Sequence, residues 1–102
     1  MVFKVTIIGS GGWGGIPAPF CRCKACQSAR EPGSKDNRTR PEILVETEKG
    51  RFLIEISPDI RTQSSRFDLS GILHFLISHW HFDHMYGLLE LRSYYVFKAA
   101  RI

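Results

Sequence analysis

No apolar run in the 102 residues approaches the roughly 18 that a membrane-spanning helix needs. No internal repeat, low-complexity tract or interdomain linker interrupts the chain. Cysteine is scarce: three residues at tight spacing, an odd number that suits a metal site or free thiols better than a secreted disulfide framework. Near the N-terminus Lys4 sits inside a short β-like run instead of a signal-peptide core, so a cytoplasmic protein without a membrane partner is expected. The length excludes an α/β barrel, which takes ~250 residues. Dense aliphatic and aromatic runs exclude disorder of the whole. After His84 there is no further histidine, aspartate or cysteine, and Glu90 is the only acidic residue.

What is present reads as one ordinary domain over residues 1–102, with 43% hydrophobic and 24% charged residues. The net charge of +4 is concentrated. Between Cys21 and Pro41 stand Arg22, Lys24, Arg30, Lys35, Arg38 and Arg40 against Glu31 and Asp36, and the remainder is neutral. A basic stretch beside a glycine-rich loop favours an anionic ligand such as phosphate or nucleic acid. A solvated loop kept soluble by charge is the competing explanation.

Val2 to Ile8 has the β-propensity of a strand and stops at Gly9. Gly9 to Gly15 holds five of the nine glycines and must be loop. A short helix is expected over Lys24 to Arg30, ended by Pro32-Gly33. Glu42 to Glu48 and Arg51 to Ile56 form a hairpin about Lys49-Gly50. Ser57 is the expected N-cap of a helix reaching Phe67, with Pro58 in its first turn. Ile72 to Ser78 reads as a strand buried on both faces. From Met85 to about Ala100 the spacing of Leu88, Leu91 and Tyr95 predicts an amphipathic helix.

Three of the four histidines fall within His79-Trp80-His81-Phe82-Asp83-His84. In an extended segment side chains two apart point the same way, so His79 and His81 can present imidazoles to one metal. Asp83 and His84 follow where the chain turns into a helix and can aim a second pair nearby. Imidazole and carboxylate together suit Zn, Mn or Fe better than Ca or Mg. In α/β sheets such groups gather at the carboxyl ends of strands. Trp80 and Phe82 are expected to face the other way and anchor the loop in the core. His74 lies alone in the apolar run and reads as a core histidine. The run Gly9-Ser10-Gly11-Gly12-Trp13-Gly14 matches a dinucleotide fingerprint, but Gly15-Ile16-Pro17-Ala18-Pro19 breaks the helix that fingerprint should open. A tight turn permitting close backbone approach is the better reading.

The H-x-H-x-D-H run after an apolar strand, followed by Gly87-Leu88-Leu89, resembles the metal motif of the metallo-β-lactamase superfamily of hydrolases. Gly9-Ser10-Gly11-Gly12, Gly15-Ile16-Pro17 and Cys21-Arg22-Cys23-Lys24-Ala25-Cys26 together resemble the PhnP-type phosphodiesterases, which act on a phosphoribosyl cyclic phosphate. They are also similar to the pyrroloquinoline-quinone biosynthesis B proteins, as is Leu53-Ile54-Glu55-Ile56-Ser57-Pro58-Asp59-Ile60-Arg61. The resemblance implies an α/β fold, the N-terminal half of an αβ/βα sandwich with a mixed sheet and flanking helices. It implies two divalent metals, Zn or Mn, with His79 and His81 on the first and Asp83 and His84 on the second. Asp83 is the implied catalytic residue, and a metal pair of this kind clamps phosphoryl oxygens during in-line displacement. Cys21, Cys23 and Cys26 would supply three thiolates of a structural zinc, with free thiols as the alternative.

Two departures qualify this. The superfamily usually carries aspartate where Glu55 stands. Its further bridging carboxylate, histidines and fourth zinc ligand come from a second half, and two ligands per metal fall short of the usual three. The expectation is therefore a truncated or split N-terminal half that binds metal weakly and turns over nothing alone. Its substrate would be a small phosphodiester, with nucleic acid the weaker candidate. Its open sheet should self-associate or receive a complementing C-terminal half. Alternatives are a tRNA 3′-end processing endonuclease and a non-catalytic metal-binding module.

Overall fold

The computed structural model describes residues 2–92. Four strands and three short helices follow in the order β1 (Lys4–Gly9), α1 (Lys24–Ala29), β2 (Glu42–Thr47), β3 (Gly50–Ile54), α2 (Ile60–Arg66), β4 (Phe75–Leu76) and α3 (Phe82–Met85). A 3-10 helix over Tyr86–Leu91 continues α3. The strands form one mixed sheet in the order β1-β2-β3-β4: the first two pairings are antiparallel and β3 with β4 is parallel. The parallel pair needs a crossover, and α2 provides it.

The β2–β3 hairpin turns at Glu48-Lys49, one residue earlier than the sequence pattern implied, and Gly50 already pairs with Thr47. Thr47 holds the turn: its hydroxyl donates to Gly50 O at 3.0 Å and accepts Lys49 N–H at 3.1 Å. The α2 helix also begins later than expected, with Asp59 and not Ser57 at its N-cap. Ser57 is spent one step upstream, where its hydroxyl accepts Asp59 N–H (2.9 Å) and its carbonyl accepts Ile60 N–H (3.0 Å).

One face of the sheet packs on α2 and the following loop, burying Ile8, Leu44, Leu53, Ile56, Ile60, Ile72 and Phe75. The other face carries Val5, Ile7 and Leu76, which are 52%, 66% and 57% exposed. This corrects the expectation of a β4 buried on both sides. Only Phe75 and Leu76 pair, and β4 has β3 as its single neighbour among the described residues, so its alternate side chain meets no second layer. His74 is corrected for the same reason. It is exposed, and only its carbonyl is used, accepting Leu53 N–H at 3.2 Å. The helical pattern predicted from Met85 holds as helix and 3-10 turn to Leu91; its part with Tyr95 and Ala100 lies outside the described residues.

The glycine loop is a close-approach device and opens no helix. A bulge after Ile7 brings Gly9 opposite Glu42, where a Cβ would overlap Arg40 O. Gly11 N–H then bonds Thr39 O at 2.7 Å, and Ile16 and Arg38 exchange both backbone bonds, at 2.9 and 2.7 Å.

Glu42 opens β2 fully buried, with neither carboxyl oxygen in a hydrogen bond. Burial pushes its pKa up to about 8; the nearby Ser57 backbone works the other way without closing a hydrogen bond, and the charge of Asp59 adds to the rise. A folded-state value near 8 above an ordinary 4.5 means that the folded chain holds the extra proton. Its stabilising contribution is therefore complete below 4.5 and falls as pH rises toward 8. Glu42→Gln is expected to remove that slope and to exceed the parent chain at pH 9 by on the order of a few kcal/mol. Urea melts of both chains at pH 5 and pH 9 measure it; an equal fall in both would refute the assignment.

Candidate metal centre

The site is built where β3 and β4 end side by side. Glu55 follows β3 and extends its ladder by one bond, donating its N–H to Leu76 O at 2.7 Å. Its φ of 71° is left-handed, a conformation that costs a non-glycine residue on the order of 1 kcal/mol or more. The carboxylate offsets that cost by what it collects. It accepts Ser78 N–H at 2.8 Å on Oε1 and the Ser78 hydroxyl at 2.7 Å on Oε2, and Oε2 also meets His84 Nδ1. Burial pushes the Glu55 carboxyl up, but the Ser78 N–H and hydroxyl and then His84 outweigh it and hold it below the ordinary value.

The histidine segment is pinned to the same corner through its backbone. Ile56 N–H donates to His84 O at 2.9 Å, Gly87 N–H to Ile56 O at 3.0 Å, and His84 N–H to His81 O at 3.0 Å. These bonds bring three imidazoles together: ring centroids of His79 and His81 lie 4.5 Å apart, and those of His79 and His84 4.0 Å apart. Side-chain donor atoms of Glu55, His79 and His84 all fall within 4.8 Å of one another. His81 joins by its ring contact with His79 but not in that tightest group. Asp83 is buried and sets Oδ2 3.2 Å from His84 Nε2.

The hydrogen bonds fix which ring nitrogens are free. The Ser78 hydroxyl donates to Glu55, so it accepts from His79 Nδ1 at 2.8 Å. The Glu55 carboxylate is an acceptor and takes the Nδ1–H of His84. Each Nδ1 is thereby engaged and Nε2 is the ring nitrogen left for a metal; for His84 this is the arrangement in which a carboxylate orients a metal-binding imidazole. For His84 that nitrogen faces Asp83 Oδ2, also an acceptor, at 3.2 Å. Two acceptors at that distance are reconciled by a proton or a cation, so the donor set fits a divalent metal.

Trp80 and Phe82 do not anchor the loop; they are 77% and 46% exposed. The sheet has ended at Leu76 and α3 begins at Phe82, so strand alternation does not carry across the segment. Phe82 instead stacks on Tyr86 with centroids 4.8 Å apart and lies under the Arg40 guanidinium at 5.5 Å. Ser78 was not singled out by the sequence, although a hydroxyl at the end of an apolar run just before the histidines was a readable signal.

A second cluster lies at α1. Side-chain sulfurs of Cys21, Cys23 and Cys26 are within 4.8 Å of one another. Cys23 caps the helix and accepts Cys26 N–H at 3.4 Å, while Cys26 accepts Ala18 N–H at 3.4 Å. The Cys26 N–H, with help from the Cys21 and Cys26 side chains, lowers the Cys23 thiol to about 7. The Ala18 N–H pulls Cys26 down, but Cys21, burial and Cys23 together raise it. Three thiols at this spacing can hold a thiophilic ion.

The sequence profile of the Metallo-beta-lactamase superfamily matches residues 43–102. The chain belongs to that superfamily. A solved diphosphatase of the PhnP family superposes with a TM-score of 0.79 at 34% identity, over 90% of this chain and 35% of that one. The Zn(2+)-bound PqqB of Methylobacterium extorquens does so with a TM-score of 0.74 at 33% identity, over 90% and 34%. The protein named octanoyltransferase in Porphyromonas gingivalis is 39% identical over 91 residues, which are 88% of this chain and 18% of that protein. The chain thus spans about a third of the two solved relatives and less than a fifth of the third. In superfamily terms, the histidine segment and the β3 end occupy the profile-matched part, and the cysteine cluster precedes it.

Gly87 is the tightest point of this arrangement: a Cβ there would overlap Ser57 O and crowd Ile56. Gly87→Ala is expected to loosen the histidine segment from Ile56 and to lower stability by about 1–3 kcal/mol. A thermal melt measures it, and an unchanged midpoint would contradict the packing described.

Proposed function

We propose that this chain carries one side of the active site of a metal-dependent hydrolase acting on a phosphodiester. The observation that carries the proposal is the convergence of His79 and His84, whose Nδ1 atoms are engaged by Ser78 and Glu55, with Asp83 Oδ2 set against Nε2 of His84. His79 and His81 would hold one divalent metal, zinc or manganese, and Asp83 and His84 a second. A metal bound there supplies Lewis-acid polarisation of a phosphoryl oxygen. Glu55 keeps the His84 ring in register, and Ser78 does so for His79. Asp83 presents a carboxylate oxygen at the same point and is assigned to accept a proton from the attacking water. The solved diphosphatase relative supports phosphoryl chemistry, and the zinc-bound relative supports the metal class.

Two ligands for each metal are one short of the three typical of catalytic zinc. The remaining ligands are assigned to a segment beyond the described residues or to a second chain. The outer sheet face with Val5, Ile7 and Leu76 is where a complementing half or a second copy would pack. Cys21, Cys23 and Cys26 are assigned to a structural zinc with a fourth ligand from the same source. The chain by itself then binds metal without appreciable turnover.

Zinc competition against a chromophoric chelator tests this, together with hydrolysis of bis(p-nitrophenyl) phosphate. His84→Ala and Glu55→Gln are each expected to weaken zinc retention about 10- to 100-fold. Cys23→Ser is expected to release a separate equivalent of zinc. Hydrolysis should appear only when the chain is joined to the segment that completes the ligand set. Zinc retention unaffected by His84→Ala, or hydrolysis surviving it, would overturn the proposal.

A further inference from the structure

The cysteine cluster at α1 is graded in exposure: Cys23 is exposed, Cys21 intermediate and Cys26 buried, and none is in a disulfide. Their sulfurs lie within 4.8 Å of one another, and no histidine or carboxylate of the described residues joins the group. A metal held by these three alone leaves the Cys23 sulfur open to solvent. Cys23 caps α1 and Cys26 stands three residues on, in its first turn. That is C-x-x-C, a spacing shared with reversible dithiol–disulfide pairs.

The backbone holds the pair in place. Cys26 N–H donates to the Cys23 sulfur at 3.4 Å, which keeps that side chain folded over the residue it would join. Ala18 N–H donates to the Cys26 sulfur at 3.4 Å. Arg30 fixes the loop beside them, donating Nη1 to Cys21 O at 2.6 Å and Nη2 to Ala18 O at 3.0 Å. Cys21 is only two residues from Cys23, so a disulfide between them would have to close a ring through a single intervening residue. Cys26 is the better-placed partner.

We propose that Cys23 and Cys26 are a reversible dithiol–disulfide pair, oxidised by a hydroperoxide, and that closing the disulfide empties the cysteine site of zinc. Only the loss of zinc rests on the structural-zinc assignment; the disulfide needs no metal. The Cys23 sulfur attacks the outer peroxide oxygen. The O–O bond breaks, and the departing oxygen leaves with its electron pair and takes the thiol proton, as water or an alcohol. Cys23 is then a sulfenic acid. The Cys26 sulfur attacks the Cys23 sulfur, the S–O bond breaks, and hydroxide leaves with the Cys26 proton as water. Two thiols have lost two electrons and one hydroperoxide has gained them. A dithiol reductant reverses the oxidation by exchange. Zinc and disulfide draw on the same two sulfurs and exclude each other.

Peptide mapping tests this on the full chain, stripped of metal with chelator and treated with a small molar excess of hydrogen peroxide before alkylation. Trypsin cuts after Arg22, Lys24 and Arg30 and puts each cysteine on its own peptide. The expected product links the Cys23 and Cys26 peptides and leaves Cys21 alkylated, and dithiothreitol returns all three to alkylation. Cys26→Ser should stop at a sulfenic acid on Cys23, captured by dimedone. Cys23→Ser should slow peroxide consumption by about tenfold or more. In the zinc-loaded chain, peroxide should release the same equivalent of zinc that Cys23→Ser releases. Three alkylated cysteines after peroxide would overturn the proposal, as would a disulfide through Cys21 or between two chains, or a Cys26→Ser chain without the dimedone adduct. Zinc retained beside a Cys23–Cys26 disulfide would overturn the zinc-release half. A chain that holds no zinc at its cysteines would overturn the structural-zinc assignment and the release with it, while the metal-free map still decides the disulfide.

Discussion

The Glu55 carboxylate is the interaction on which the rest of this corner depends. It stands at the end of β3, in a left-handed conformation, and ties together three things that the chain brings from different places. Ser78 comes from the end of β4, His84 from α3, and the ladder bond to Leu76 from the sheet itself. The bonds from Ser78 and His84 are to a charged acceptor, the class worth most per contact. Without that carboxylate, Ser78 would turn elsewhere, His79 would lose the partner of its Nδ1, and His84 would be free to rotate. With the backbone in the left-handed region, both carboxylate oxygens find donors.

Around this corner the fold provides rigidity on one side and openness on the other. The core from Ile8 to Phe75 fixes the strand ends, and the backbone bonds from Ile56 and Gly87 fix the histidine segment to them. The outer sheet face leaves Val5, Ile7 and Leu76 exposed. The chain spans about a third of each solved relative. Arg40 ties α2 to the histidine segment: its guanidinium pairs with Asp59 and lies over the Phe82 ring.

Much of this was legible in the residues. Hydrophobic runs located β1 and the β2–β3 hairpin, and the glycine loop was recognised as a close-approach turn because prolines follow it. The alternation of His79 and His81 and the turn to Asp83 and His84 marked the segment whose rings the structure brings together. What failed was inference from alternation past the end of the sheet. Alternation with, or position within, an apolar run points Trp80, Phe82 and His74 inward, yet that run pairs over only two residues. Strand periodicity holds only while a partner strand enforces it. The Arg40–Asp59 pair and the partners of Glu55 were not legible. They join residues 19 or more positions apart, and nothing local in the sequence marks such contacts.

Nitrogen-15 NMR of the imidazoles tests the central claim most directly. The account predicts that His79 and His84 both carry their hydrogen on Nδ1, and that adding zinc shifts their Nε2 resonances while Nδ1 stays protonated. Either ring found with its hydrogen on Nε2 and no response there to zinc would contradict it.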